Sequence, residues 1–271
     1  MTTGAPELDD IRRKIDSTDD AIVRLLAERL HYVRQVGKRK VAFGMGGSFI
    51  RSGREAAMLR SLAKKLDGVM SPRAAVAIWR VIISSSLSAE KAFTAYAGPS
   101  DGNVAYWLAR EYFGGAIPVR LIPDNENLVR TITDEPTAVG VASVAEGDAA
   151  PWWLRPKHEK NALYVFASLP FAGGKELCAP PTFAFANIVP EQTDADATLV
   201  AFSLPAATDL NAARERIEAA GARIVASAPL GLLARFDAYL SAQGEKLTAL
   251  SSRLPPHSEA RVLGHYAVPL D

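Results

Sequence analysis

The sequence predicts a multidomain chain in three parts: an all-α three-helix segment over residues 1–92, an α/β lobe with a linker over 93–195, and a ferredoxin-like α+β module over 196–271. Three observations carry this. Apolar residues recur at steps of three and four through the first forty positions, the period of one helix face. Strand-like and helix-like runs then alternate as βαβαβ, the order of a parallel sheet with crossovers. The last quarter runs βαββαβ, the ferredoxin-like order.

The first helix is read over residues 7–41. Its stripe passes through Leu8, Ile11, Ile15, Thr18, Ile22, Leu25, position 29, Tyr32 and Val36, with no Gly or Pro before Gly37. At 1.5 Å per residue it is roughly 50 Å long. Gly44, Gly46 and Gly47 end it, a second helix follows over 51–66, and a third opens at Ser71-Pro72, an N-cap with proline at the first helical position. Three helices of such unequal length cannot bury the long one's apolar face, so an intertwined homodimer is expected. Beyond Phe93, FTAYAG, PVRLIP and TAVGVASVA read as strands with helices NVAYWLAREYFGG and NENLVRTITDE between them. Residues 149–195 are poorly patterned; one strand, ALYVFAS, is read there, followed by a linker.

Composition narrows the function classes. The chain has 271 residues, 48% hydrophobic and 23% charged, enough for more than one core. With 31 basic and 30 acidic residues the formal charge is +1, so no global field recruits nucleic acid or an anionic membrane, and any anion must be bound locally. Cys178 is the only cysteine, which excludes an intrachain disulfide and suits a reducing cytosol. Neither a secretory core nor a run of about 18 apolar residues occurs, so a cytoplasmic protein is expected.

Arg29 is the first residue to raise a chemical question. It sits on the seam where a leucine belongs, and a guanidinium there carries a desolvation cost unless an anion meets it. Glu28 and His31 are off the seam. Lys40 follows eleven residues later, three turns on, and projects from nearly the same face. Arg12, seventeen residues earlier, lies about 100° around the helix and would serve the pocket of a partner subunit. On the third helix Trp79, Ile83, Ser86 and Glu90 share a stripe, and Arg54 and Glu55 open the second. Singly, each has a plain alternative: surface cations make a solvated face, Ser86 bonds back to a carbonyl, and Glu90 lies at a helix end. Jointly they describe a pocket with several cations, a hydroxyl and two carboxyls.

With IRRKID, LLAERL, VGKRK, the RE pair and the W-x-x-I-I-x-x-S-x-x-x-E pattern in order, residues 8–91 resemble the all-helical class of chorismate mutase, especially the domain fused to prephenate dehydratase in bacterial bifunctional enzymes. The resemblance implies that Arg12, Arg29, Arg54, Glu55 and Ser86 contact substrate and that Lys40 and Glu90 serve the breaking ether bond. Arg12 would cross from the other subunit, and the anion facing Arg29 would be a carboxylate of chorismate. Two features depart from the family: Arg51 stands where an aspartate is common, after a glycine-rich loop, and Glu90 where many members have glutamine.

The remainder resembles the same bifunctional enzyme in reduced form. AYAGPSDGNVAYWLA is similar to the opening of prephenate dehydratase, and residues 196–269, ending in RVLGHY, look like its regulatory ACT domain. The intervening stretch is too short for two dehydratase lobes. It lacks Thr-Arg-Phe, with Ala162-Leu163-Tyr164 the nearest candidate, and the regulatory Glu-Ser-Arg-Pro reads Ala226 to Pro229 as ASAP. Ser227 and Pro229 are therefore the candidate effector-binding positions, and the loop GPSDGN could hold an anion at a helix N-terminus.

Rearranging chorismate to prephenate is an intramolecular [3,3] shift, so the resemblance implies no cofactor and no metal. Arginines would fix the two carboxylates in a reactive chair. Lys40 would meet the charge growing on the ether oxygen, and Glu90 would donate to it only when protonated. The expectation is a homodimeric chorismate mutase acting on chorismate to give prephenate, without dehydratase activity, and with neither nucleic acid nor membrane as partner. The alternative is a catalytically weak metabolite-sensing or partner-binding regulatory protein.

Overall fold

The computed structural model describes residues 4–42, 49–155, 162–174 and 180–271. The chain divides into two compact units, Met1–Gly47 and Ser48–Asp271. The glycine-rich loop and Cys178 lie outside the described residues.

The first unit is one helix, α1 (Gly4–Ala42), 39 residues long. Its predicted stripe is real as a pattern but bare: Leu8, Ile11, Ile15, Ile22, Leu25, Tyr32 and Val36 are all exposed, Leu25 to 64%. A stripe of this length left uncovered is an extended exposed apolar face. Polar residues between its members are held locally by one-turn ion pairs such as Lys14 to Asp10 at 2.7 Å.

The second unit opens with α2 (Ser52–Lys65) and α3 (Pro72–Glu90). Ser71 caps α3 as predicted, its Oγ accepting the Ala74 N–H at 3.2 Å with Pro72 in the first turn. The two helices pack into the same core as the lobe that follows: Phe49, Leu59 and Ile83 share one apolar cluster with Phe93, Phe113, Val139, Phe166 and Phe171.

After β1 (Thr94–Ala97), α4 (Val104–Phe113), β2 (Val119–Leu121), α5 (Asn125–Asp134) and β3 (Ala138–Ser143), the predicted βαβαβ unit is complete, with β2 and β3 flanking β1 in parallel. β4 (Tyr164–Leu169) is the predicted strand. The stretch read as linker instead contains β5 (Thr182–Ala186), which runs antiparallel between β3 and β4. All five of its residues are buried, so TFAFA shows no polar alternation, and the preceding Pro180-Pro181 gives it the look of a loop. Trp152 stacks on Phe185 of this strand with centroids 4.9 Å apart, and opposite that ring Gly140 leaves the room a Cβ would remove.

The last module follows the sequence reading closely: β6 (Asp196–Ser203), α6 (Leu210–Ala219), β7 (Ala222–Ala228), β8 (Gly231–Phe236), α7 (Glu245–Ser251) and β9 (Glu259–Ala267). Its strands lie in the order β9-β6-β8-β7, all antiparallel, which is ferredoxin-like topology. Phe202, Ile217, Leu232, Phe236 and Leu247 form its helix-side core. β9 also pairs with β4, so both halves join in one nine-stranded sheet. Gly264 makes that junction: at φ 152° its Cβ would stand 2.2 Å from the Val165 carbonyl oxygen. Among the described residues no helix is long and apolar enough to cross a membrane.

Candidate functional site

The predicted site residues fall on both units. On α1, Arg12 is exposed and paired to Asp9 at 3.2 Å, and Arg29 is half-buried on the stripe. Lys40 belongs to the last turn of α1, and its side chain lies outside the described residues. On the second unit Arg54 is exposed in the first turn of α2, where its backbone N–H donates to Glu191 Oε2 at 3.3 Å. Ser86 is buried on α3 and its Oγ donates to the Ile82 carbonyl at 2.8 Å, the back-bond expected of an ordinary helical serine. Glu90, one turn further, is half-buried.

Glu55 is the predicted site residue with the most developed surroundings. It is buried, and its Oε2 accepts from Arg80 Nη1 at 2.6 Å while its Oε1 receives the Arg51 backbone N–H at 3.3 Å. Arg80 is 2% exposed. Its Nε donates to the Tyr112 carbonyl at 2.7 Å, and its guanidinium lies 3.6 Å from the centroid of the Tyr112 ring. Burial pushes the Tyr112 hydroxyl up to about 12, with Arg80 opposing and Glu55 adding to the shift. A void of about 10 Å³ beside Glu55, lined by Ser52, Leu59, Tyr112 and Phe166, is no larger than a water needs.

Sequence reasoning missed Arg80. The signal was present: Val76, position 80 and Ile83 follow steps of four and three along the buried face of α3, the same seam logic that singled out Arg29. Here the anion opposite the seam cation is Glu55.

In the ferredoxin-like module, Ser227 donates through both its N–H, at 2.9 Å, and its Oγ–H to the carboxylate of Glu146, which follows β3. These bonds hold the Glu146 carboxyl below its ordinary range; burial opposes the shift and Arg214 at 3.9 Å assists it. Pro229 lines an open cleft of about 430 Å³ with Pro151, Leu154, Arg155, Leu204 and Leu230. In the loop GPSDGN, Ser100 Oγ accepts the Ala105 N–H at 3.0 Å and so serves the first turn of α4 itself.

Fold and site together define a multidomain α then α/β protein whose helical segment carries a set of cations and carboxyls. Residues 11–91 match the model of the family described as chorismate mutase type II. The bifunctional chorismate mutase/prephenate dehydratase of Aquifex aeolicus is 35% identical over 111 residues, which are 40% of this chain and 30% of that protein. The enzyme of the same description from Neisseria gonorrhoeae is 29% identical over 122 residues, covering 45% of this chain and 32% of the relative. The chain thus spans about a third of the length of these curated relatives. A prephenate dehydratase structure from Streptococcus mutans aligns with a TM-score of 0.36 at 13% identity, covering 66% of this chain and all of the other.

Proposed function

We propose that this protein is a chorismate mutase, an isomerase that converts chorismate to prephenate. The observation that carries the reading is the family match over 11–91, which spans Arg12, Arg29, Lys40, Arg54, Glu55, Ser86 and Glu90. Arg29 and Arg54, with Arg12 from a second copy, orient the two carboxylates; Ser86 adds a hydroxyl contact. Lys40 stabilises the charge that grows on the ether oxygen, and Glu90 in its protonated form supplies a second donor. The uncovered apolar stripe of α1 supports the homodimer in which Arg12 crosses over. A cytoplasmic location and an ACT-like role for the last module belong to the same reading.

A second reading is supported by Glu55. Its carboxylate is already held by Arg80 and the Arg51 N–H, which suits a protein that senses metabolites or engages a partner more than one that turns substrate over. Ser227 and Pro229 would then belong to the effector site, with Glu146 displaced from Ser227 by an incoming carboxylate. Incubating the purified protein with chorismate and following its loss together with prephenate formation separates the two. Loss no faster than in buffer overturns the mutase reading.

A further inference from the structure

We propose that the nine-stranded sheet with α4 is the cradle of α2 and α3, closed by a buried lock in which Arg80 joins Glu55 to the Tyr112 carbonyl, so that half of the mutase-matched segment folds and opens with the lobe. The role this gives the lobe rests on the mutase reading; the lock itself does not.

A single guanidinium reaches three helices. Arg80 stands on α3, binds Glu55 of α2 through Nη1, and binds and stacks on Tyr112 of α4 through Nε and its planar face. Only arginine combines a forked donor set with a face that lies flat on an aromatic ring. The pair is almost fully withdrawn from water, with side-chain exposures of 2% and 7%. In such a place each charge depends on the other, since removing one leaves an uncompensated ion in the core.

The lock is one of several fasteners. Arg60 of α2 donates to Thr193 Oγ1 at 3.2 Å and to the Ala195 and Val268 carbonyls at 2.8 and 2.9 Å, reaching the loop before β6 and the residue after β9. Arg73 of α3 pairs with Glu111 of α4 at 3.3 Å. Phe49, Phe93 and Phe113 form a chain of ring contacts with centroids 5.3 and 5.7 Å apart. The neighbouring voids of about 20 and 10 Å³ are water-sized, so the contact is packed through. A lobe that lacks the dehydratase motifs thereby acquires a function of its own, as a scaffold.

The test is a double-mutant cycle in the 271-residue chain with Glu55→Leu, Arg80→Met and the pair combined, read by thermal melting and by hydrogen exchange. Each single change is expected to lower Tm by about 10 °C, and the double to recover most of the loss, because two apolar side chains replace a balanced pair while either single change strands a charge. In the wild type the amides of α2 and α3 should exchange as slowly as those of β6 and β8; Arg80→Met should speed α2 and α3 well beyond any change in the sheet. Should the single variants fail to fold while the double folds, the lock is supported by that result. If the double fails as well, Arg80→Lys decides: it keeps the charge and loses the fork and the stacking face, so an unchanged Tm overturns the proposal. Additive losses in the cycle, or α2 and α3 exchanging far faster than the sheet in the wild type, overturn it too. Neither readout uses chorismate, so an inactive protein would refute the mutase reading and leave the lock standing.

Discussion

Arg51 and Glu191 meet at 2.6 Å, tying the residue before α2 to the loop before β6. This is the position at which the mutase resemblance departs from an aspartate, and the guanidinium put there is answered by a carboxylate 140 residues along the same unit. The backbone reinforces the contact, since Glu191 also accepts the Arg54 N–H at 3.3 Å. Gly53 permits the approach: a Cβ there would lie 2.8 Å from the Glu191 Cβ.

Arg51→Ala should therefore be mild and Gly53→Ala worse. The ion pair is half in water, with side chains 49% and 35% exposed, and such pairs contribute at most about 1 kcal/mol. Overfilling the Gly53 contact costs about 1–3 kcal/mol. Urea midpoints of the two variants check the order, and an Arg51→Ala loss larger than that of Gly53→Ala would show that the charge, and not the close packing, holds this corner.

Arg29→Ala should lose mutase activity by about 100-fold, the scale of one charged hydrogen bond to a carboxylate, while the protein keeps its oligomeric state. Mixing Arg12→Ala chains with Arg29→Ala chains should restore one intact pocket per heterodimer, because both lesions then fall in the other pocket. Unchanged turnover in Arg29→Ala removes it from the site; proven heterodimers without recovery remove Arg12 from the partner's pocket.

Much of this fold was legible because local patterns report secondary structure, whether or not the face they mark is covered. The stripe of α1, the Ser71-Pro72 start of α3 and the βαββαβ order are all local signals, and the strand order β9-β6-β8-β7 follows from the last of them. β5 was not legible, since a strand buried on both faces loses its alternation, and its neighbours Gly140 and Trp152 are distant in sequence. Glu55 was found for its carboxyl, but its partner Arg80 stands 25 residues away on another helix, and no one-dimensional spacing announces such a pairing. Arg29 and Arg80 carried the same seam signal, yet only Arg29 was read from it.

Prephenate should not be converted to phenylpyruvate by the purified protein any faster than by buffer at neutral pH. The first lobe has β5 and the aromatic pair Trp152 and Phe185 filling its interior, and the chain has no Thr-Arg-Phe motif. Enzyme-dependent phenylpyruvate would show that the lobe retains chemistry beyond its scaffold role.

Gly264→Ala should be among the most damaging single changes, by about 3 kcal/mol or more, because a side chain is strained at φ 152° and would collide with the Val165 backbone where β9 meets β4. Gly102→Ala, at φ 59° with open space around it, carries backbone strain alone and should cost about 1 kcal/mol. Comparing their thermal melts tests whether the junction of the two half-sheets depends on that close approach; equal losses would mean that it does not.

The contact between Glu146 and Ser227 should make a small part of the stability depend on acid. Donation from the Ser227 hydroxyl favours the carboxylate first, burial opposes it, and the Ser227 N–H and Arg214 favour it further, so the folded pKa lies below the ordinary 4.5. The unfolded chain then takes up a proton more readily than the folded one. By linkage, the contribution is fully present above 4.5 and is lost as pH falls through the depressed folded value. The carboxylate is largely exposed, so solvent screening keeps the contribution at neutral pH under about 1 kcal/mol. Glu146→Gln keeps the shape and removes the titration. Its urea midpoint should fall slightly below that of the wild type at neutral pH, and the gap should close in acid as the wild-type carboxyl is protonated. A gap that stays constant or widens on acidification would show that Ser227 does not prefer the ionised form.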